Sequence, residues 1–337
     1  MVSPILKTSA ASSGEYARRR IQEDEAVFMK IIRDIGGIPA DLRCAVTTIG
    51  NFDGVHLGHR FIFGKLVEEA GRESCPAVVI TFEPHPKLIL HPERRPFHLI
   101  TSLEEKLRLI AETGVDYLLV IPFTLEYART TAEEFVRGLL WERLRTRKIL
   151  IGHDYTFGRG KEGDKAFLSE AGRRLGFAVE VMDAFQVGGT TVSSTRIRLA
   201  LLAGEVRFAA GLLGRHYNLG GRIISGSRRG ADLGFPTANI RPGKELVPAR
   251  GVYAVHVLLD GERRQGVLNI GFNPTFAAGS LSVEVHILDF NDNIYGREIE
   301  ILFVERLRDE VRFEGPEQLA AQIGRDIAKA RKILHLR

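Results

Sequence analysis

Apolar and polar positions change rhythm once along this chain, near residue 205. Before that point short apolar runs alternate with amphipathic stretches, and strand candidates fall at 44–50, 76–82, 116–123, 147–152 and 177–183, after a β-like opening at Met29–Arg33. The runs between them carry helix-start signals. Ser102-x-x-Glu105 and Thr131-x-x-Glu134 are capping boxes, Asp164 can cap a helix running to Leu175, and helical runs follow at 60–70, 195–202 and 206–213. Near-continuous apolar strands alternating with helices predict an α/β domain with a parallel, Rossmann-like sheet covered on both faces. Ligands of such sheets lie beyond the carboxyl ends of the strands, where residues 50–59, 83–86 and 153–163 would fall.

Beyond residue 216 the pattern becomes β-rich. Val252–Leu259 and Arg264–Ile270 flank Asp260-Gly261, a hairpin signal, and Ser282–Phe290 and Ile294–Val304 flank a second turn at Asn291–Asn293. A tail opening at Gly315-Pro316 reads as an amphipathic helix to about Leu334. The expected second domain is a small antiparallel β-barrel closed by a C-terminal helix. The boundaries read as an extension at 1–28 outside the fold, an α/β domain at 29–204, a linker at 205–216 and the barrel domain at 217–337. Residues 1–28 have no signal-peptide h-region, and Met29 is expected to be an alternative or true translation start.

Composition narrows this picture only a little. A chain of 337 residues can bury two cores, and no apolar run is long enough to span a bilayer. Cys44 and Cys75 lie beside β-like runs without metal-ligand spacing, so they are expected to be buried free thiols in a reducing compartment, the cytoplasm. The formal charge of +5 comes from arginines scattered among helices and not interleaved with aromatics, which argues against a nucleic-acid partner and fits a chain that handles anionic nucleotides.

Candidate chemistry concentrates in a few stretches. Gly50–His59 sits where a strand hands over to a helix; its glycines let backbone N–H groups approach an anion, and His56 and His59 are three apart. A Gly-rich connection with two solvated histidines would read the same way. Gly158–Gly163 matches GxGxxG with Asp183 twenty residues on, which supports an alternative, an NAD-binding oxidoreductase. Ser193–Arg198 places hydroxyls at a helix start with Arg196 and Arg198 in its first turn, an arrangement that calls for an anion. Gly226–Gly230 is a basic, flexible loop, and Thr237 and Asn239 are alternate residues of an extended segment, so both oxygens can face one hard cation. Glu284 shares a strand face with Ser282, His286 and Leu288, opposite Val283, Val285 and Ile287; the strand alone leaves open which face is core.

Taken together, these segments resemble the prokaryotic bifunctional riboflavin kinase/FMN adenylyltransferases, or FAD synthetases. The resemblance runs in order through GNFDGVHLGH (50–59), TFEPHP (81–86), GHDYTFGRGKEGD (152–164), SSTRIR (193–198), GFPTANI (234–240), GVYAV (251–255), NIGFNPTF (269–276) and VEVHILDF (283–290), and residues 1–28 have no counterpart. It implies two ATP-dependent steps, riboflavin to FMN in the barrel and FMN to FAD in the α/β domain, with Mg²⁺ required for both. For the adenylyltransferase it implies ATP contacts from Gly50, Phe52, Asp53, His56, His59, Asp154, Ser194, Thr195 and Arg198, with Pro84 and Pro86 lining a flavin site. For the kinase it implies Glu284 as base, Gly226, Gly230, Gly234, Thr237 and Asn239 at ATP, and Mg²⁺ on Thr237 and Asn239. The expected partners are riboflavin, FMN and ATP, without nucleic acid or membrane, for a monomer or weak homo-oligomer. A non-catalytic flavin-binding regulator is the remaining alternative.

Overall fold

The computed structural model describes residues 29–94, 96–225, 234–272 and 281–335. Six strands, β1 (Lys30–Ile32), β2 (Ala45–Ile49), β3 (Ala77–Glu83), β4 (Tyr117–Pro122), β5 (Thr146–Gly152) and β6 (Ala178–Met182), form one sheet in the order β1-β4-β3-β2-β5-β6. Every pair in it is parallel. All five residues of β2 are buried, as a central strand covered on both faces requires.

Helices α1 (Leu57–Glu73) and α3 (Leu103–Ala111) cover one face through Phe63, Leu66, Leu109 and Ile110. The other face packs on α4 (Ala132–Glu134, continuing as π-helical turns over Phe135–Arg143) and α5 (Lys165–Leu175); α2 is the short helix Pro86–Leu90. Both capping boxes form, and Asp164 caps α5 by accepting from Phe167 N. Successive strands step outward from β2 through β3 to β4 on one side and from β5 to β6 on the other. The strand order therefore reverses between β2 and β5, and a crevice opens there at their carboxyl ends.

After a two-stranded hairpin of β7 (Gln186–Val187) and β8 (Thr190–Thr191) come α6 (Ser194–Leu202) and α7 (Val206–Leu213). The expected linker is thus mostly helix. Val206, Leu212 and Leu213 of α7 share one core with Ile100 of the first half and with Tyr217, Tyr253 and Phe303 of the second. Six strands then close a barrel in the order β10-β13-β12-β11-β14-β9: β9 (Tyr217–Ile224), β10 (Ala238–Pro242), β11 (Gly251–Leu259), β12 (Glu262–Phe272), β13 (Leu281–Ile287) and β14 (Glu298–Arg308). Helix α8 (Pro316–His335) lies on the outer face over Val252, Ala254, Val267 and Leu288, and its Asp326 pairs with Arg308 of β14 at 2.8 Å.

Two expectations fail. Asp260-Gly261 does turn β11 into β12, with left-handed φ of 50° and 81°. Asn291–Asn293 does not join paired strands, because β13 ends at Ile287, β14 starts at Glu298, and each pairs with other strands. The connection crosses the barrel instead, burying Ile294 in its core. The cysteines are not free either. Cys44 and Cys75 are bonded, with Cα atoms 5.5 Å apart. The cause is register: Val46 lies opposite Ala77, so stepping back two residues on each parallel strand sets Cys44 beside Cys75. The compartment inferred from free thiols loses that support.

β9 and β10 approach so closely at Gly221 that a Cβ there would lie 2.3 Å from the Arg241 carbonyl oxygen. Gly221→Ala should lower stability by about 1–3 kcal/mol in urea unfolding, since one strand must shift to make room.

Candidate functional sites

The loop after β2 is held in an unusual conformation. Phe52, Gly54 and Val55 have φ of 49°, 84° and 39°, so two non-glycine residues, one of them β-branched, occupy left-handed backbone. Such residues cost roughly 1–3 kcal/mol each and persist only where their surroundings fix them. The surroundings here are specific. The buried Asp53 carboxylate accepts from Ile100 N at 2.9 Å and Thr101 N at 3.2 Å and pairs with Arg198 Nη2 at 2.6 Å. Gly54 N donates to Thr101 Oγ1, Ser194 Oγ donates to the Asp53 carbonyl, and Arg215 donates to the carbonyls of Gly54 and Val55. Gly50 is glycine for a steric reason, since a Cβ would lie 2.9 Å from the Phe52 ring.

This loop delivers His56 to the N-cap of α1, where its Nδ1 accepts from His59 N. The two imidazoles stack with centroids 3.5 Å apart, and Phe52 meets His59 edge-on at 5.1 Å. Burial drives His56 down to about 4, with a further downward push from Arg215. Burial, followed by the proximity of His56, holds His59 well below the usual histidine range. Both rings are therefore neutral at pH 7. They act as hydrogen-bonding groups, with the His56 proton on Nε2 because Nδ1 accepts. His59 Nδ1 is buried without a hydrogen-bond partner in the structure.

The anion that Arg198 meets is the Asp53 carboxylate. Its Nε also donates to the His98 carbonyl, and its guanidinium lies 4.4 Å over the Phe97 ring. Thr195 is exposed at the start of α6, and Asp154 is exposed beyond β5, level with the loop because Thr48 lies opposite Leu150. Pro84 is exposed after β3, and Pro86 is the first residue of α2.

Several residues that sequence reasoning did not single out stand beside them. His85 is buried, caps α2, and is pushed down to about 3 by burial and then by Lys106, Lys87 and Arg198. Lys87 lies 5.3 Å from the Phe97 ring, and the buried Lys106 lies 3.7 Å from Glu83. A cluster of cations around a neutral histidine suits an anionic ligand. Lys106 had no signal in sequence beyond its place on an amphipathic helix. A cavity of about 600 Å³ opens alongside, lined by Phe97, His98 and Thr101 from one half and by Lys244 and Glu245 from the other.

The GxGxxG stretch is not a phosphate loop. Phe157 and Gly163 bridge to each other, Arg159 N donates to the Thr130 carbonyl, and a Cβ on Gly158 would lie 2.7 Å from Ala132 N. Gly158 and Gly163 pack against Ala132 of α4, so the dinucleotide reading is not supported.

A second constellation lies on the outer face of the barrel. Val283, Val285 and Ile287 point into the core, which leaves Ser282, Glu284 and His286 outside. Glu284 stands between Asn239 of β10 and Asn269 of β12, each directly opposite it. Ser282 Oγ donates to Glu284 Oε1 at 2.8 Å. His286 Nδ1 meets the Pro236 carbonyl at 2.8 Å and so ties down the segment leading to Thr237. Gly234, with φ of 83°, opens that segment. Gly226 and Gly230 lie outside the described residues.

The FAD synthetase family model matches residues 38–196, and the riboflavin kinase model matches 213–334. A bifunctional riboflavin kinase/FMN adenylyltransferase from Escherichia coli (strain K12) is 41% identical over 310 residues, covering 91% of this chain and 99% of that protein. The chain belongs to the bifunctional riboflavin kinase/FMN adenylyltransferase family. A family member from Listeria monocytogenes is 39% identical over 285 residues, covering 83% of this chain and 90% of that protein. A crystal structure of a macrolide-efflux protein from Streptococcus pneumoniae superposes with a TM-score of 0.80 at 30% identity, covering 90% of this chain and 99% of that one. Efflux is said of that protein; the likeness here is the two-part fold. Among the described residues no helix is long and apolar enough to cross a membrane. Family membership gives both halves enzymatic roles, against the non-catalytic regulator.

The depressed histidines set a pH dependence. An unfolded chain protonates His56 and His85 near pH 6.5, whereas the folded chain resists until about 4 and about 3. The unfolded state therefore binds more protons in this window, and stability present above pH 6.5 is lost as pH falls toward 4 and below. Urea midpoints measured from pH 7 to pH 4 should fall, and His85→Gln should flatten that slope.

Proposed function

We propose that the chain makes FAD in two separate sites: the barrel converts riboflavin and ATP to FMN and ADP, and the α/β half converts FMN and a second ATP to FAD and pyrophosphate. The observation that carries the second assignment is the stacked, uncharged His56–His59 pair at the N-terminus of α1, in the crevice where the strand order reverses. The FMN phosphate is already an anionic nucleophile for the α-phosphorus of ATP, so this half needs no general base. It needs donors for the charge that grows on the departing pyrophosphate. The ring N–H groups of His56 and His59, the backbone around Gly50 and Phe52, and the α1 dipole fill that role. Ser194, Thr195 and Asp154 contact the nucleotide. Asp53 and Arg198 fix the loop that presents it. Pro84 and Pro86 border the flavin.

In the kinase half Glu284 accepts the proton of the riboflavin 5′-hydroxyl as its oxygen attacks the γ-phosphorus. The residues around it fit a hard cation: Thr237 and Asn239 offer neutral oxygens on one face of an extended segment, beside a carboxylate. Thr237 and Asn239 would hold Mg²⁺, which would supply charge neutralisation for the transferred group. Gly234 belongs to the same ATP site, to which Gly226 and Gly230, outside the described residues, are also assigned. The proposed boundaries put the barrel of the kinase half from residue 217, with the segment from 213 that leads into it belonging to the same half because the riboflavin kinase model matches from there. Reliance on ATP supports a cytoplasmic location.

Incubation with riboflavin, ATP and Mg²⁺, followed by separation of the flavins, should yield FMN and then FAD; absence of both defeats the proposal. His59→Ala should slow FAD formation by about 10²-fold or more while sparing FMN. Glu284→Ala should slow riboflavin phosphorylation by roughly 10²–10⁴-fold while sparing adenylation of supplied FMN. Loss of both activities in either variant would contradict separate sites.

A further inference from the structure

The loop that presents His56 is held partly by the other half of the protein. Arg215 lies within the residues matched by the riboflavin kinase model and outside those matched by the FAD synthetase model. It nevertheless reaches across to the adenylyltransferase loop. Its Nη2 donates to the Gly54 carbonyl at 2.8 Å and its Nη1 to the Val55 carbonyl at 3.3 Å. Those carbonyls belong to two consecutive left-handed residues, Gly54 and Val55, immediately before His56. Gly214 brings the chain in closely enough for this contact: its φ is 73°, and a Cβ there would lie 2.4 Å from Leu57 Cδ2 at the start of α1.

A second contact from the barrel half reinforces the first. Lys244, between β10 and β11, donates to the Ile100 carbonyl at 3.2 Å and pairs with Glu105 of α3 at 2.9 Å. The N–H of that same Ile100 is one of the donors that hold Asp53.

We infer that Arg215 is a positioning residue for FMN adenylylation, supplied by the kinase half. It clamps the strained turn so that the His56 and His59 rings meet the nucleotide phosphates in a productive geometry. This rests on the reading of Gly50–His59 as the adenylyltransferase site. A guanidinium spans both carbonyls in one plane, so Arg is suited to the position and Lys can serve it only in part.

The test uses the full-length protein and measures both reactions separately, FMN formation from riboflavin and FAD formation from supplied FMN. Arg215→Ala should reduce kcat/KM for FAD formation by about tenfold to a hundredfold, the scale of a misplaced catalytic group. FMN formation should stay within about twofold, because Arg215 contacts none of Glu284, Thr237 or Asn239; this rate also reports that the barrel is folded. Arg215→Lys should recover part of the loss. Unchanged FAD formation in Arg215→Ala overturns the inference, as does equal loss of both activities, which would make the residue merely structural. His59→Ala run alongside separates the layers: if it leaves FAD formation intact, the site reading itself fails; if it abolishes FAD formation while Arg215→Ala is silent, only the clamp fails.

Discussion

A carboxylate removed from water is costly unless several donors converge on it, and at Asp53 they do. Ile100 N and Thr101 N bring in the segment ahead of α3, and Arg198 brings in α6. One side chain thus joins three segments that are distant in sequence. Together with the contacts from Thr101, Ser194 and Arg215, it holds Phe52 and Val55 in left-handed backbone. The histidines that depend on this turn are buried enough to stay uncharged. Positive charge lies elsewhere in the same half, where Lys106, Lys87 and Arg198 surround the uncharged His85.

The same logic explains why the two halves are not simply strung together. Helix α7 occupies what sequence reads as a linker and fuses the barrel core to α6 and Ile100. Arg215 then extends polar contacts from that fused core to the turn at Gly54 and Val55, and Lys244 does so to Ile100, whose N–H holds Asp53. A fused core fixes the distance between the halves, which lets side chains of one support the backbone of the other.

The kinase constellation is built differently. It stands on the outer face of a closed barrel, where strand pairing alone aligns Asn239, Glu284 and Asn269 in a row. Helix α8 covers the neighbouring part of that face over Val267 and Leu288. Rigid strands need few side-chain contacts to keep their register.

Periodicity alone determined the strands of the sheet, the capped helices, the Asp260-Gly261 hairpin and the C-terminal helix, because each depends on residues close in sequence. Motif order determined the family and singled out His56, His59, Thr237, Asn239 and Glu284 as candidates. Only the tertiary structure decided the contacts between residues far apart in the chain. Parallel register set Cys44 beside Cys75, and the crossing of the barrel end separated β13 from β14. Core packing turned Glu284 outward, and α4 claimed Gly158 and Gly163 of the GxGxxG stretch. The partners of Arg198 and Arg215 belong to the same group. An arginine in sequence announces a charge, but whether it meets a ligand, a carboxylate or a strained carbonyl is set by which distant segment the fold brings within 3 Å.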